Sequence, residues 1–318
     1  MTGNATLPKL TLGKIQAEAP AENPQTPTDS CNPSATTSIA KALRRGRTLL
    51  DGSSDSAALD AEVLLCFVLD KQRAYLRTWP ERLLQPEQQR RYQKLLQQRR
   101  AGHPVAYLTG SREFWSREFI VTPDVLIPRP ETELLIERAL GLLPQGQKLQ
   151  VLDLGTGSGA IAVTLAAERP QWRVTATDIS AAALSIARSN ARHHAAANIR
   201  FHRSRWFDDL PDARYDLIVS NPPYIAPDDE HLQQGDLRFE PQTALAADRN
   251  GIADIEEIIN KARRQLHPGG RLLLEHGCDQ QRAVQTLLQR CRYSEIHTHT
   301  DLAGLPRVSL ARWPGISC

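Results

Sequence analysis

Apolar positions recur three and four apart in Ile39-Ala-Lys-Ala-Leu43 continuing to Leu50, in Ser56 to Leu69 and in Pro86 to Arg100, which predicts a small helical domain over residues 37–109. Gly110-Ser-Arg-Glu-Phe-Trp-Ser-Arg-Glu-Phe-Ile-Val121 then alternates, so a hairpin-like linker is expected over 110–126. After Ile127-Pro-Arg-Pro-Glu-Thr-Glu133, which opens another helix, the period changes again. Short apolar runs near 151, 172, 199, 215 and 271 alternate with helical segments at 159–168, 180–196 and 252–267, the pattern of a doubly wound parallel sheet over 127–318. Tyr293 to Thr300 and Arg307 to Trp313 are two further strands with no crossover helix between them, so the last is expected to run antiparallel. Residues 1–36 carry prolines at 8, 20, 24, 27 and 33 and little apolar periodicity, and read as a disordered tail.

In such sheets ligands bind outside the carboxyl ends of the strands, so the residues just past each apolar run are the candidates for a site. Val151-Leu-Asp-Leu-Gly-Thr-Gly-Ser-Gly-Ala-Ile161 is a strand, a glycine-rich turn and a helix start, with glycines at 155, 157 and 159 that permit close backbone approach to a ligand. Dinucleotide-binding domains use the same loop. The next strand ends at Asp178, a carboxylate placed to accept from ribose hydroxyls or, in the plainer alternative, to cap the helix that starts near Ser180. After Tyr215-Asp-Leu-Ile-Val-Ser220 comes Asn221-Pro222-Pro223-Tyr224. The prolines have no N–H to donate and hold φ near about −65°, which fixes the Asn221 side chain and frees the Pro222 carbonyl. The result is a pair of fixed acceptors beside an aromatic ring, suited to a planar NH2 group.

Composition narrows this reading without deciding it. Arginine outnumbers lysine 32 to 7, but acidic residues leave a net charge of only +3, so no strong nucleic-acid footprint is present. The densest basic stretch, Arg90 to Arg100, has leucines on one helical face and charges on the other, as a solvated helix does. Cysteines at 31, 66, 278, 291 and 318 form no Cys-x-x-Cys pair and read as free thiols of a reducing compartment. No histidine cluster has companion ligands at metal spacing, and no apolar stretch is long enough to span a bilayer. A cytoplasmic protein is expected, working as a monomer without metal, membrane or direct nucleic-acid contact.

Asp-Leu-Gly-Thr-Gly-Ser-Gly-Ala-Ile with Asn-Pro-Pro-Tyr, Ile-Pro-Arg-Pro-Glu-Thr-Glu and Arg238-Phe-Glu-Pro241 resembles the PrmC/HemK release factor glutamine N5-methyltransferases. Gly110 to Trp115, Leu232-Gln-Gln-Gly-Asp236 and Leu272-Leu-Leu-Glu-His-Gly277 match the same pattern in the same order, so the resemblance covers roughly Ala35 to Trp313. It implies a class I methyltransferase domain that binds S-adenosylmethionine, a helical domain that helps hold the protein substrate, and as substrate the glutamine of the Gly-Gly-Gln loop in peptide chain release factors. By position it implies a cofactor site of Gly155, Thr156, Gly157, Ser158, Gly159, Asp178, Trp206 and Asn221. The glutamine site would be Asn221, Pro222, Pro223 and Tyr224, with Asn221, Pro222 and Tyr224 as the catalytic set.

The sequence departs from the family in one place. An acidic residue usually precedes the Trp-Phe pair, but Ser204-Arg205-Trp206-Phe207 has arginine there. The expectation is that Trp206 supplies stacking and Arg205 points away. A nucleic-acid adenine N6-methyltransferase is the main rival, because adenine N6 is also a conjugated NH2 on this type of sheet. A dehydrogenase would leave Asn221 to Tyr224 unexplained, and a catalytically silent binding protein would have lost motif residues that are all present here.

Overall fold

The computed structural model describes residues 37–315; the tail expected over 1–36, with Cys31, and Cys318 lie outside the described residues. The first element, α1 (Ile39–Leu50), is capped by Ser38, whose side chain accepts from the Lys41 N–H. It packs with α2 (Ala57–Leu69), α3 (Arg73–Thr78), α4 (Pro86–Arg100) and α5 (Val105–Thr109) around Leu50, Leu64, Leu65, Tyr92 and Leu96. Proline opens α4 at a position where its missing N–H has no partner to lose. The short α3 and α5 lie outside the sequence expectation, being too brief to show a helical period.

A hairpin follows, β1 (Ser111–Phe114) paired antiparallel with β2 (Arg117–Ile120). Trp115 and Ser116 turn it with φ of 53° and 54°, the left-handed geometry that matches strand twist. Its Phe114 and Phe119 are buried against the larger domain. A 3-10 turn at Pro130–Thr132 then leads into α6 (Glu133–Leu142).

The rest is one sheet with helices on both faces. Its elements in order are β3 (Gln150–Leu154), α7 (Ala160–Glu168), β4 (Arg173–Asp178), α8 (Ala181–His193), β5 (Ile199–Arg203) and β6 (Tyr215–Ser220). Then come α9 (Asp248–Gly251), α10 (Ala253–Gln265), β7 (Leu266–Glu275), α11 (Gln281–Arg290), β8 (Ser294–Thr300) and β9 (Pro306–Arg312). The seven strands lie in the order β5-β4-β3-β6-β7-β9-β8, and only β9 runs antiparallel to its neighbours, as the missing crossover required. Successive side chains enter opposite layers: Val151, Leu217, Val219 and Leu273 join the core beneath α6, α7 and α8, while Leu152, Leu154, Ile218 and Leu274 join that beneath α10 and α11. This is the class I methyltransferase fold.

The strand order reverses between β3 and β6, and this places the site. Leu154 pairs with Ser220 across the two strands, and the Ser220 hydroxyl donates to the Leu154 carbonyl at 2.8 Å. The next residues, Gly155 and Asn221, therefore leave the sheet side by side at the switch point where such sheets bind ligands.

Candidate active site

A cavity of about 590 Å³ opens at the carboxyl ends of β3 to β6. Gly155, Gly157, Asp178, Trp206, Asn221 and Pro223 all line it, so four separate chain segments meet there. Thr156, Ser158, Gly159, Pro222 and Tyr224 do not line it. Thr156 and Ser158 are buried in the loop itself. The Thr156 hydroxyl donates to Asp153 Oδ2 at 2.6 Å, and Gly159 starts α7. Burial pushes the Asp153 carboxyl up to about 7, so the loop rests on a group that is readily neutral.

The glycines of the loop serve two different ends. Gly157 has φ +54° and a Cβ added there would meet nothing within 4 Å, whereas one at Gly155 (φ +70°) would come within 3.3 Å of the Trp206 ring. A glycine at 155 thus lets the indole pack directly against the loop. Asp178 closes the loop: its Oδ2 accepts from the Gly157 N–H at 2.9 Å and its Oδ1 from the Ser180 N–H at 2.8 Å. The N-cap of α8 is Ser180 rather than Asp178, with its hydroxyl accepting from the Ala183 N–H. A carboxylate has about four acceptor positions, so Asp178 retains acceptor capacity for a ribose hydroxyl. Its half-buried position holds its pKa above the ordinary value, with the backbone N–H groups pulling it back.

Trp206 adopts φ 51°, a left-handed conformation rare for so large a side chain. Ser204 holds the turn by donating to the Trp206 carbonyl at 3.2 Å and accepting from the Asp209 N–H at 3.0 Å. The indole Nε1 donates to Asp254 Oδ1 at 3.2 Å, which fixes the ring plane from α10. Arg205 turns to the same helix, reaching Glu257 at 2.7 Å and Asp254 at 3.5 Å, while also forming part of the cavity rim. Asp254 was missed in the sequence, where an acid in a helix's first turn carries no distinguishing signal.

The Asn221 Nδ2 donates to Thr132 Oγ1 at 3.1 Å, and among the described residues no donor takes Asn221 Oδ1 or the Pro222 carbonyl. Downstream, Ile225 exchanges backbone bonds with Leu245 and Ala247, and Gln280 donates to the Tyr224 carbonyl at 2.9 Å. Gly251 packs so closely that a Cβ there would lie 2.0 Å from that carbonyl. The Tyr224 hydroxyl points to Glu275 at 3.4 Å, and burial holds its pKa well above the ordinary range, so it stays a neutral donor. Thr132 belongs to the Ile127–Glu133 segment, which is itself held by Glu240: the Ile127 N–H donates to Glu240 Oε2 at 3.0 Å and Arg129 pairs with Oε1. Asp236, just upstream, meets Arg99 of α4 at 2.8 Å, and Arg99 also holds Asp60 at 2.6 Å. A chain of contacts therefore runs from the helical domain to the acceptor pair.

Residues 41–110 match the PrmC N-terminal domain and residues 145–307 a methyltransferase domain. The release factor glutamine methyltransferase of Shewanella oneidensis is 47% identical over 278 residues, 87% of this chain and 97% of that protein. The chain belongs to the release factor glutamine methyltransferase family. Its relative in Salmonella typhimurium is 50% identical over 260 residues, 82% of this chain and 94% of that protein. Among solved structures, the hMettl16 catalytic domain in complex with a 3'UTR hairpin superposes with a TM-score of 0.50 over 61% of this chain and 75% of that one. At 17% identity it bears on the fold alone. The family's methyl donor is S-adenosylmethionine, and the cavity lined by Gly155, Gly157, Asp178 and Trp206 offers a nucleoside open backbone at Gly157, a carboxylate at Asp178 and an aromatic side chain at Trp206.

Proposed function

We propose that this protein transfers the methyl group of S-adenosylmethionine to the side-chain amide nitrogen of the glutamine in the Gly-Gly-Gln segment of peptide chain release factors, and so modulates translation termination. The observation that carries this is the pair of free acceptors, Asn221 Oδ1 and the Pro222 carbonyl, at the switch point beside Tyr224. Bound in the cavity, S-adenosylmethionine supplies a methyl group on a positively charged sulfur. Asp178 would accept from the ribose hydroxyls, Trp206 would pack against the adenine, and Gly155 and Gly157 would bring the loop backbone close to the rest. Thr156, Ser158 and Gly159 shape the loop from behind.

An amide nitrogen is a poor nucleophile because its lone pair is conjugated with the carbonyl. Asn221 and Pro222 each accept one amide hydrogen, which turns the lone pair toward the methyl group and stabilises positive charge developing on nitrogen. Pro223 and Tyr224 pack against the amide plane. No dedicated base is needed, since the methylated nitrogen is strongly acidic and releases its proton readily.

The helical domain, 37–109, holds the protein substrate, joined through the 110–126 linker to the methyltransferase domain at 127–318; the Arg99–Asp236 contact ties it to the segment whose Glu240 holds Ile127 and Arg129. On this reading the enzyme works in the cytoplasm as a monomer and contacts no nucleic acid, in keeping with its small net charge. The test is methyl transfer from labelled S-adenosylmethionine to a purified release factor and to the same factor with its Gly-Gly-Gln glutamine replaced by glutamate. Transfer to the first alone is expected, and equal labelling of both contradicts the reading.

A further inference from the structure

Glu275 ends β7 after Leu272-Leu-Leu274 and is only 1% exposed. Nothing in the methyl transfer itself uses it. Its Oε1 faces the Tyr224 hydroxyl, and its Oε2 has no hydrogen-bond partner among the described residues. A buried carboxylate oxygen without a donor is costly and calls for an explanation. The Thr132 hydroxyl is among the groups acting on this carboxyl; its oxygen accepts from Asn221, and its own hydrogen is committed to no other acceptor among the described residues.

We propose that Glu275 is a positioning residue, which through Thr132 and Tyr224 fixes the face that the Asn221 amide turns to the substrate. An asparagine amide has an oxygen and an NH2 of nearly equal size, and only the oxygen can accept from a glutamine. To keep that oxygen forward, the NH2 must find an acceptor behind it. The Thr132 hydroxyl presents a lone pair to Asn221 only when its hydrogen goes elsewhere. As a carboxylate, Glu275 has only lone pairs and takes that hydrogen. As a carboxylic acid it can donate to Thr132, which frees Thr132 to donate toward Asn221 and favours the wrong face.

The ionisation of Glu275 thus gates the pair. Burial pushes its carboxyl up to about 7, opposed by the Thr132 hydroxyl; Glu131 on the 3-10 turn raises it further, while Arg307 of β9 and Tyr224 lower it. Arg307 is itself held by Asp301 at 3.0 Å. The adjoining His276 bonds Ser309 at 2.9 Å, and burial lowers its pKa, so it adds no charge near neutrality.

The inference rests on the glutamine reading only for its effect on rate, so the experiment has two arms. In ¹⁵N-asparagine-labelled protein without substrate, the Asn221 side-chain amide signals, assigned by their loss in Asn221→Ala, are followed from about pH 6 to about pH 8.5. They are expected to titrate in the wild type and to stay flat in Glu275→Gln and in the isosteric Thr132→Val. In the kinetic arm, Glu275→Gln is expected to lower kcat at least about tenfold, to flatten its pH profile near neutrality and to leave KM for S-adenosylmethionine within about twofold. Identical titration in wild type and variants, or an unchanged pH profile in Glu275→Gln, overturns the proposal. A wild type that leaves release factor unmethylated would instead contradict the proposed function, while the amide signals would still decide the role of Glu275.

Discussion

The side chain of Asn221, just past β6, donates to the hydroxyl of Thr132, 89 residues earlier in the chain, at 3.1 Å. That bond joins the Ile127–Glu133 segment to Asn-Pro-Pro-Tyr and leaves Asn221 Oδ1 open at the cavity. Asn221→Ala removes an acceptor that the proposed transfer uses in its transition state, without touching the sheet. It is expected to lower kcat by about 10²-fold or more, with S-adenosylmethionine affinity within a few-fold of wild type by calorimetry.

Gly155→Ala puts a methyl group 3.3 Å from the Trp206 ring and forces an alanine to adopt φ +70°. A loss of stability of about 1 to 2 kcal/mol is expected from the backbone alone. A weaker cofactor complex should accompany it. Thermal unfolding and a calorimetric titration on the same preparation separate the two effects.

Arg205 is where the chain departs from its family, and its guanidinium spans Glu257 and Asp254. Asp254 already supplies the carboxylate that holds the Trp206 indole. Replacing the arginine with aspartate would set a third acid against these two. Arg205→Asp is therefore expected to improve S-adenosylmethionine affinity by less than about tenfold, equivalent to about 1.4 kcal/mol. A larger gain in a direct titration would mean that the arginine opposes cofactor binding.

Asp153 and Glu275 are both fully buried carboxyl groups raised from 3.8 and 4.5 to about 7. Because the folded state keeps their protons longer than the unfolded chain does, the stability they confer is complete below pH 4. It declines as pH rises toward 7 and is level above that. Urea denaturation across this range should show the decline. Asp153→Asn and Glu275→Gln should each flatten part of it.

Much of this was legible because long periodic segments and backbone-defined motifs write themselves locally. The three long helices of the first domain, five parallel strands and the antiparallel last strand follow from spacing alone. The glycine loop, Asp178 and Asn221 could be placed together because the carboxyl ends of parallel strands share one edge. The partners behind them could not. Thr132 and Asp254 act through contacts 89 and 48 residues away, and neither position differs in type from an ordinary helix start. Glu275 left more of a trace, a carboxylate ending the apolar run Leu272-Leu-Leu274, but its partners depend on how β7 meets the Asn-Pro-Pro-Tyr turn.

The central claim is that the unpartnered acceptors of Asn221 and Pro222 receive a protein glutamine amide. Incubating the protein with labelled S-adenosylmethionine, purified release factor and DNA together, and mapping the label by mass spectrometry, tests it most directly. The account predicts a single methyl group on the side-chain nitrogen of the Gly-Gly-Gln glutamine; label on adenine N6 would contradict it.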